Sequence, residues 1–363
     1  MSSIPDRVLN LACAIQQIPA PTFYEQKRAR AVFDQFLALG LEDVEMDDLG
    51  NVYARRPGTG NAAPVLVTAH TDTVFPADTP LTLKREADRI HGPGIGDNSL
   101  GVAGLSGLAW MLENDDLPGD VWFAANVGEE GLGDLRGMRR VIERLGKHVK
   151  ATLVLEGMAL GHIYHAGIGV KRYCFTARAD GGHSWLNFGR PSAIHSLVRF
   201  AAALTELSVP ASPKTTFNIG TIEGGTSVNT IAREASLNLD LRSESAEALR
   251  AIDTRVQTLF DSFNQNGTQL ESRVTSERPI GDLAREHALV QAAARALADI
   301  GLPPTFESGS TDANIPLSLG LPCVCIGLTY GANAHRPDEY IETAPLAKGL
   351  EALAATVRGA LQL

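Results

Sequence analysis

The chain predicts an α/β fold: a mixed, mostly parallel sheet flanked by helices, interrupted by an inserted α+β domain of ferredoxin-like type. Three observations carry this expectation. Short apolar runs alternate with helical periodicity up to Glu156, as strands joined by crossover helices do. After Gly167 the order changes to β-α-β-β-α-β, the split βαβ unit of four antiparallel strands under two helices. From Arg285 the α/β alternation returns. The first domain therefore reads as discontinuous, residues 1–167 and 278–363, with the second inserted at 168–277.

Taken in order, residues 4–16 and 24–39 show helical apolar spacing, joined by the loop Ile18-Pro19-Ala20-Pro21-Thr22. Residues 41–56 read as a strand pair around the turn signal Asp48-Leu49-Gly50-Asn51. The run Val65-Leu66-Val67 is a buried strand leading to His70 and Asp72. A polar excursion follows, and then a Gly-rich turn with Asp97 opens a helix over 98–114. A strand over 121–125 ends at Gly128-Glu129-Glu130-Gly131; a helix over 135–145 and a strand over 151–155 lead to Glu156. In the inserted part, strands are expected over 170–177, 217–222, 235–241 and 269–275, with helices over 191–207 and 246–263. A helix up to 300, a strand over 323–328 and a helix over 345–361 complete the chain.

At 363 residues, with 44% apolar and 20% charged residues, the composition is that of a globular protein of one or two domains. A net charge of -10 with no Lys/Arg block disfavours nucleic acid and anionic membrane as partners. No apolar run reaches transmembrane length, and the start lacks a signal-peptide pattern. The four cysteines form no CxxC pair, and Cys323 and Cys325 alternate as strand residues do, so a reducing cytoplasm is expected.

The chemistry is suggested by where charge falls. Three apolar strands end in acidic or imidazole side chains: at His70, at Glu129 and Glu130, and at Glu156. In open α/β sheets the carboxyl ends of strands line the ligand crevice. A carboxylate straight after a buried strand is costly unless paired or bound to a cation. Alone, Asp97 would serve as a helix N-cap, the Glu pair as a solvated loop, and His70 as a structural histidine. Together they would repel one another severely, and divalent cations remove that repulsion.

With these residues assembled, the chain resembles the M20 family of metallopeptidases, which includes carboxypeptidase G2-like enzymes, peptidase T, acetylornithine deacetylase and succinyl-diaminopimelate desuccinylase. The matching stretches are AHTDTV at 69–74, GPGIGDNSLG at 92–101, GEEG at 128–131, LEG at 155–157, GGHSW at 181–185 and NAHRPDEYI at 333–341. The resemblance implies a zinc-exopeptidase type of sheet and two Zn²⁺ per subunit, with Mn²⁺ or Co²⁺ as substitutes. It makes Asp97 a carboxylate bridging both metals, His70 and Glu156 ligands of one, and Glu130 and His335 ligands of the other. Glu129 would be the general base, and Asp72 would orient His70 through its second nitrogen. The inserted domain would act as a lid and homodimer surface, bringing His183 toward the reacting carbonyl and Asn229 and Arg242 toward substrate. The Gly309-Ser310-Thr311-Asp312 loop would line the substrate pocket. Asp97-Asn98-Ser99 departs from the Asp-Asp-Lys triplet of many members but keeps the bridging carboxylate.

The function implied is hydrolysis of peptide or amide bonds in small peptides, by an exopeptidase or dipeptidase. An N-acyl-amino-acid amidase or deacylase would use the same centre. A non-catalytic binding protein on this fold would be expected to lack the base or ligands, and all six are present.

Overall fold

The computed structural model describes residues 2–263 and 269–363, and the chain divides into two compact units. The first comprises Met1–Gly167 and Gly281–Leu363, the second Ile168–Ile280.

The first unit is built on an eight-stranded sheet. Its strand order is Glu42–Met46, Val52–Arg56, Val121–Asn126, Val65–His70, Ala151–Glu156, Cys323–Gly327, His162–Gly167 and Thr305–Gly309. The strands Val121–Asn126, Val65–His70, Ala151–Glu156 and Cys323–Gly327 run parallel. Val65–His70 is buried at every position, which is why its sequence is a continuous apolar run rather than an alternating one. The edge strand Glu42–Met46 is charged instead, and Arg55 on its neighbour bridges Glu42 at 2.7 Å and Asp43 at 2.5 Å. Charge on an exposed edge discourages pairing with another chain.

Helices cover both faces. Ile4–Gln16 starts at Ser3, whose hydroxyl accepts from the Asp6 amide at 3.3 Å, with Pro5 in its first turn. It buries Val8, Ala12 and Ile15 against Gly101–Met111, itself almost entirely buried. Gly107 makes that approach possible: a Cβ there would lie 2.7 Å from the Val8 side chain. Each fully buried Leu, such as Leu105 or Leu108, contributes ~1.5–3 kcal/mol relative to an exposed one. Ala288–Asp299 and Leu346–Ala360 pack together and complete the core.

Two strands of this sheet, His162–Gly167 and Thr305–Gly309, were not among the expected elements. TFESG is the edge strand and HIYHAG lies next to it; both are only partly buried, so neither carries the apolar run of a central strand. The polar excursion after Asp72 also has structure. Lys84–Arg85 and Arg89–His91 join Tyr340–Glu342 and Gly331–Ala332 in a small antiparallel sheet. The helix expected from residue 98 begins as a tight turn over Ile95–Leu100, and its regular part is Gly101–Met111.

The second unit is a four-stranded antiparallel sheet ordered Thr215–Gly224, Glu234–Ser243, Gly169–Arg178, Gln269–Arg278. Helices Ala193–Thr205 and Ala246–Phe263 pack on it. Alternation decides the faces: Leu237, Leu239 and Leu241 are buried, while Asn238, Asp240 and Arg242 are not. Its core is aromatic, with Phe175 edge-on to Phe200 at 4.9 Å between ring centroids.

Candidate metal centre

Six side chains of the first unit converge at the carboxyl ends of the parallel strands. His70 is the last residue of its strand and is buried. Its Nε2 lies 3.2 Å from Asp97 Oδ1 and 3.7 Å from Glu156 Oε2. The other Asp97 oxygen, Oδ2, lies 3.1 Å from His335 Nε2, which is 3.3 Å from Glu130 Oε1. One carboxylate thus faces two imidazoles through different oxygens, with a further carboxylate beside each. The donor atoms of His70, Asp97 and Glu156, and those of Asp97, Glu130 and His335, lie within 4.8 Å of one another in each group. Glu129 joins a third such group with His70 and Glu130.

The chain holds these groups through backbone and buried charge. Asp72 is fully buried. Its carboxylate accepts from the amides of Glu129 at 3.0 Å and Glu130 at 2.9 Å, and from the Thr22 hydroxyl at 2.9 Å. His70 Nδ1 sits 3.2 Å from the Asp72 carbonyl and 3.5 Å from its Oδ1. With Nδ1–H donating to Asp72, the Nε2 lone pair is left facing Asp97 and Glu156. Asp72 therefore positions the Glu129-Glu130 backbone as well as the imidazole.

Several residues that shape the site escaped the sequence reading. Arg28, buried inside its helix, donates to the carbonyls of Thr71 at 2.9 Å and Ile18 at 2.7 Å. Glu25 is fully buried and pairs with Arg136 at 3.1 Å. Asn126, opposite His70 in the sheet, donates to Asp312 Oδ2 at 2.7 Å. A charge on the apolar side of a predicted helix, as at Arg28, was the available signal. His91, His162 and His165 stay apart from the cluster; His162 Nδ1, for example, is 2.6 Å from Glu307.

The charges of this cluster shift one another strongly. Burial works to raise Asp97, but hydrogen bonds from His335 and His70 hold it well below the usual carboxylate range. Burial pushes Glu130 up to about 7 against its bond to His335, and raises Glu156 against its bond to His70. Hydrogen bonds to Asp97 and Glu130 raise His335 to about 10, and His70 is also held well above its ordinary value despite burial. Carboxylates and imidazoles thus act strongly on one another across these short distances. Imidazole nitrogens and carboxylate oxygens form a donor set suited to divalent metal ions.

The sequence profile of peptidase family M20/M25/M40 matches residues 66–359. The chain belongs to that family. The M20 chain is 33% identical over 222 residues to a peptidase M20 domain-containing protein of Schizosaccharomyces pombe, a match covering 58% of this chain and 52% of that one. It thus spans about half the length of that relative. It is 26% identical over 333 residues to a succinyl-diaminopimelate desuccinylase of Corynebacterium glutamicum, covering 89% and 88%. Among solved structures, the aminopeptidase PepT of Bacillus cereus superposes with a TM-score of 0.78 at 24% identity, covering 98% of both chains. A dinuclear metal-binding M20 peptidase of Bacillus subtilis does so with 0.72 at 18% identity, covering 99% of both. These likenesses share the α/β fold with its mostly parallel sheet.

The remaining M20 candidates fall elsewhere. Gly309 ends the Thr305–Gly309 strand and Ser310 follows it; a Cβ on Gly309 would sit 2.8 Å from the Tyr164 ring. His183, Asn229 and Arg242 belong to the second unit. His183 is exposed, and its Nδ1 accepts from the amides of Trp185 at 3.2 Å and Leu186 at 3.4 Å, so its Nε2 carries the proton as a donor. Asn229 is exposed, and its Oδ1 accepts from Ser227 at 2.9 Å. Arg242 Nε is bound to Asp240 at 2.7 Å.

Proposed function

We propose that this M20 hydrolase binds two divalent metal ions, zinc foremost, and cleaves the peptide bonds of small peptides as an exopeptidase or dipeptidase. The observation that carries the reading is the Asp97 carboxylate facing His70 with one oxygen and His335 with the other. His70, Asp97 and Glu156 would hold one ion, and Asp97, Glu130 and His335 the second. Bound there, the ions supply Lewis acidity toward the scissile carbonyl and lower the pKa of a water.

The protein residues do the rest. Glu129 takes the proton of the attacking water and returns it to the leaving nitrogen, a role that typically contributes ~10²–10⁴-fold. Asp72 fixes the position of Glu129 by accepting its amide and keeps His70 in the tautomer that leaves Nε2 free. The Nε2–H of His183 donates to the oxygen that gains charge, while Arg242 and Asn229 bind carboxylate or carbonyl groups of substrate. Gly309 and Ser310 line the pocket. The second unit serves as lid and as homodimer surface, and the enzyme works in the cytoplasm on small peptides.

A second reading, an amidase or deacylase of N-acyl amino acids, is favoured by the 26% identity to a desuccinylase over 89% of the chain. A panel of dipeptides, tripeptides and N-acyl amino acids, assayed with Zn²⁺, Mn²⁺ and Co²⁺, separates the two. Hydrolysis of the peptides alone supports the first, and of the acyl compounds alone the second. Activity that survives full metal removal, or survives in Glu129→Ala, refutes the mechanism.

A further inference from the structure

Glu339 has no role in the scheme above, yet its carboxylate is bound by three backbone amides close to the centre. It is fully buried. Its Oε2 accepts from the Gly94 amide at 3.0 Å, and its Oε1 from the amides of Gly96 at 2.6 Å and Asp97 at 2.8 Å. Its own carbonyl accepts from Gly92 at 2.9 Å and its amide donates to Arg336 O at 3.1 Å. No basic side chain forms an ion pair with it among the described residues. The backbone amides of one turn therefore supply what a counter-ion would.

That turn carries Asp97, and Glu339 lies four residues after His335. Asp97 and His335 are far apart in the chain and share one metal position. Each sits in a turn with no regular element of its own at that point: Gly94 has φ of +72° and His335 φ of +65°, both left-handed. The strand Tyr340–Glu342 begins immediately after Glu339 and pairs with Arg89–His91, fixing where the carboxylate starts. A side chain that accepts three amides from one turn, while its backbone belongs to the other, sets the spacing between the two.

We infer that Glu339 is a positioning residue: its carboxylate, by accepting the amides of Gly94, Gly96 and Asp97, holds the bridging carboxylate in register with His335 and thereby sets metal affinity. This rests on the two-metal reading of the centre. An amide in place of the carboxylate cannot do the same job, because its NH₂ would meet a backbone N–H. An aspartate keeps the charge but falls one methylene short of the turn.

The test is titration of metal-free protein with Co²⁺, followed by its visible absorption bands and by competition with a chelator, in wild type, Glu339→Gln, Glu339→Asp and the control Glu342→Gln. Glu342 loses the same charge three residues on, where it faces Arg89 at 3.5 Å rather than the turn. Glu339→Gln and Glu339→Asp are expected to bind Co²⁺ about 10- to 100-fold more weakly, the effect typical of losing a partner that orients a ligand. Their bands should shift, and Glu342→Gln should match wild type. Wild-type affinity and spectrum in both Glu339 variants would overturn the inference, as would equal weakening in Glu342→Gln. Should the Glu339 variants fail to fold, hydrogen exchange of wild-type residues 92–101 without metal decides. Slow exchange supports a turn held by the protein, and exchange at the rate of an open loop refutes it. Wild type that binds Co²⁺ tightly, weakens on Glu339→Gln and hydrolyses nothing would support the positioning role while sinking the proposed function.

Discussion

Apart from the exposed His335, the candidate residues of the two units are held in opposite ways. In the first unit His70, Glu129 and Glu130 are buried, and the turns carrying them are tied by Asp72 and by backbone amides. In the second unit His183 and Asn229 are exposed, and their partners lie within a few residues in sequence. Arg242 is half-buried and bound to Asp240 two residues away. On the proposed function, the difference fits what each set would do. A metal centre has to be built before the metal arrives, because rearranging buried carboxylates costs energy at each binding event. Groups that meet a substrate need only local support and room to adjust.

The sharpest test removes the shared carboxylate. Asp97→Asn should empty both metal positions, a loss exceeding the ~10–100-fold that a supporting partner costs. Arg242→Ala should leave metal content at the wild-type level. Elemental analysis of protein dialysed against trace metal measures both. Full metal occupancy in Asp97→Asn would erase the distinction between the units. The next largest effect belongs to the second unit. His183→Ala should lower kcat by ~10²–10³-fold, the usual result of deleting a donor to a developing oxyanion. KM and metal content should hardly move. Unchanged kcat would reduce His183 to a loop residue.

The same contrast explains what was legible in the sequence. Strands such as Val65–His70 and Ala151–Glu156 are recognisable because burial on both faces forces continuous apolar runs. The residues His70, Glu130 and Glu156 are recognisable because ionisable groups at the ends of such strands need a reason to be there. Edge strands such as Thr305–Gly309 are half-exposed and leave no comparable imprint. The residues that support this cluster through backbone groups were also hidden. Glu339 acts through backbone amides of residues more than 240 positions away, and Arg28 through two carbonyls, so neither has a partner side chain at a readable spacing. Local sequence records which groups are present, while support from distant backbone becomes visible only once the chain is folded.

Arg28 gives a smaller, structural test of that support. Burial lowers its pKa to about 10, and the charge of Asp72 works against the fall. Arg28→Met keeps the apolar stem but leaves the Ile18 and Thr71 carbonyls without their donors. A loss of ~1–3 kcal/mol is expected, the cost of unsatisfied buried groups. Urea unfolding of metal-free protein measures it, and a midpoint equal to wild type would show that water replaces the guanidinium freely.

The mildest effect is a pH dependence confined to the metal-free protein. Burial, reinforced by the charge of Glu129, pushes Asp312 up to about 8, and burial with the charge of Asp97 pushes Glu339 up to about 7. Glu130 also lies at about 7. An acid whose folded pKa exceeds its unfolded value is favoured in its protonated form by folding. Its contribution is complete below the unfolded value of about 4 and disappears as pH rises through 7 to 8. His335, raised to about 10 by Asp97 and Glu130, acts in the same sense: its contribution is complete below about 6.5 and declines as pH approaches 10. Metal-free protein should therefore lose thermal stability steadily from pH 5 to pH 8. Divalent ions replace the protons with fixed positive charge, so metal-loaded protein should show a flatter profile and release protons on loading. Thermal midpoints at pH 5, 6.5 and 8, with and without metal, check the sign. A metal-free midpoint that climbs with pH would mean the acidic cluster is solvated and open, more like the exposed groups of the second unit than the tightly held set described for the first.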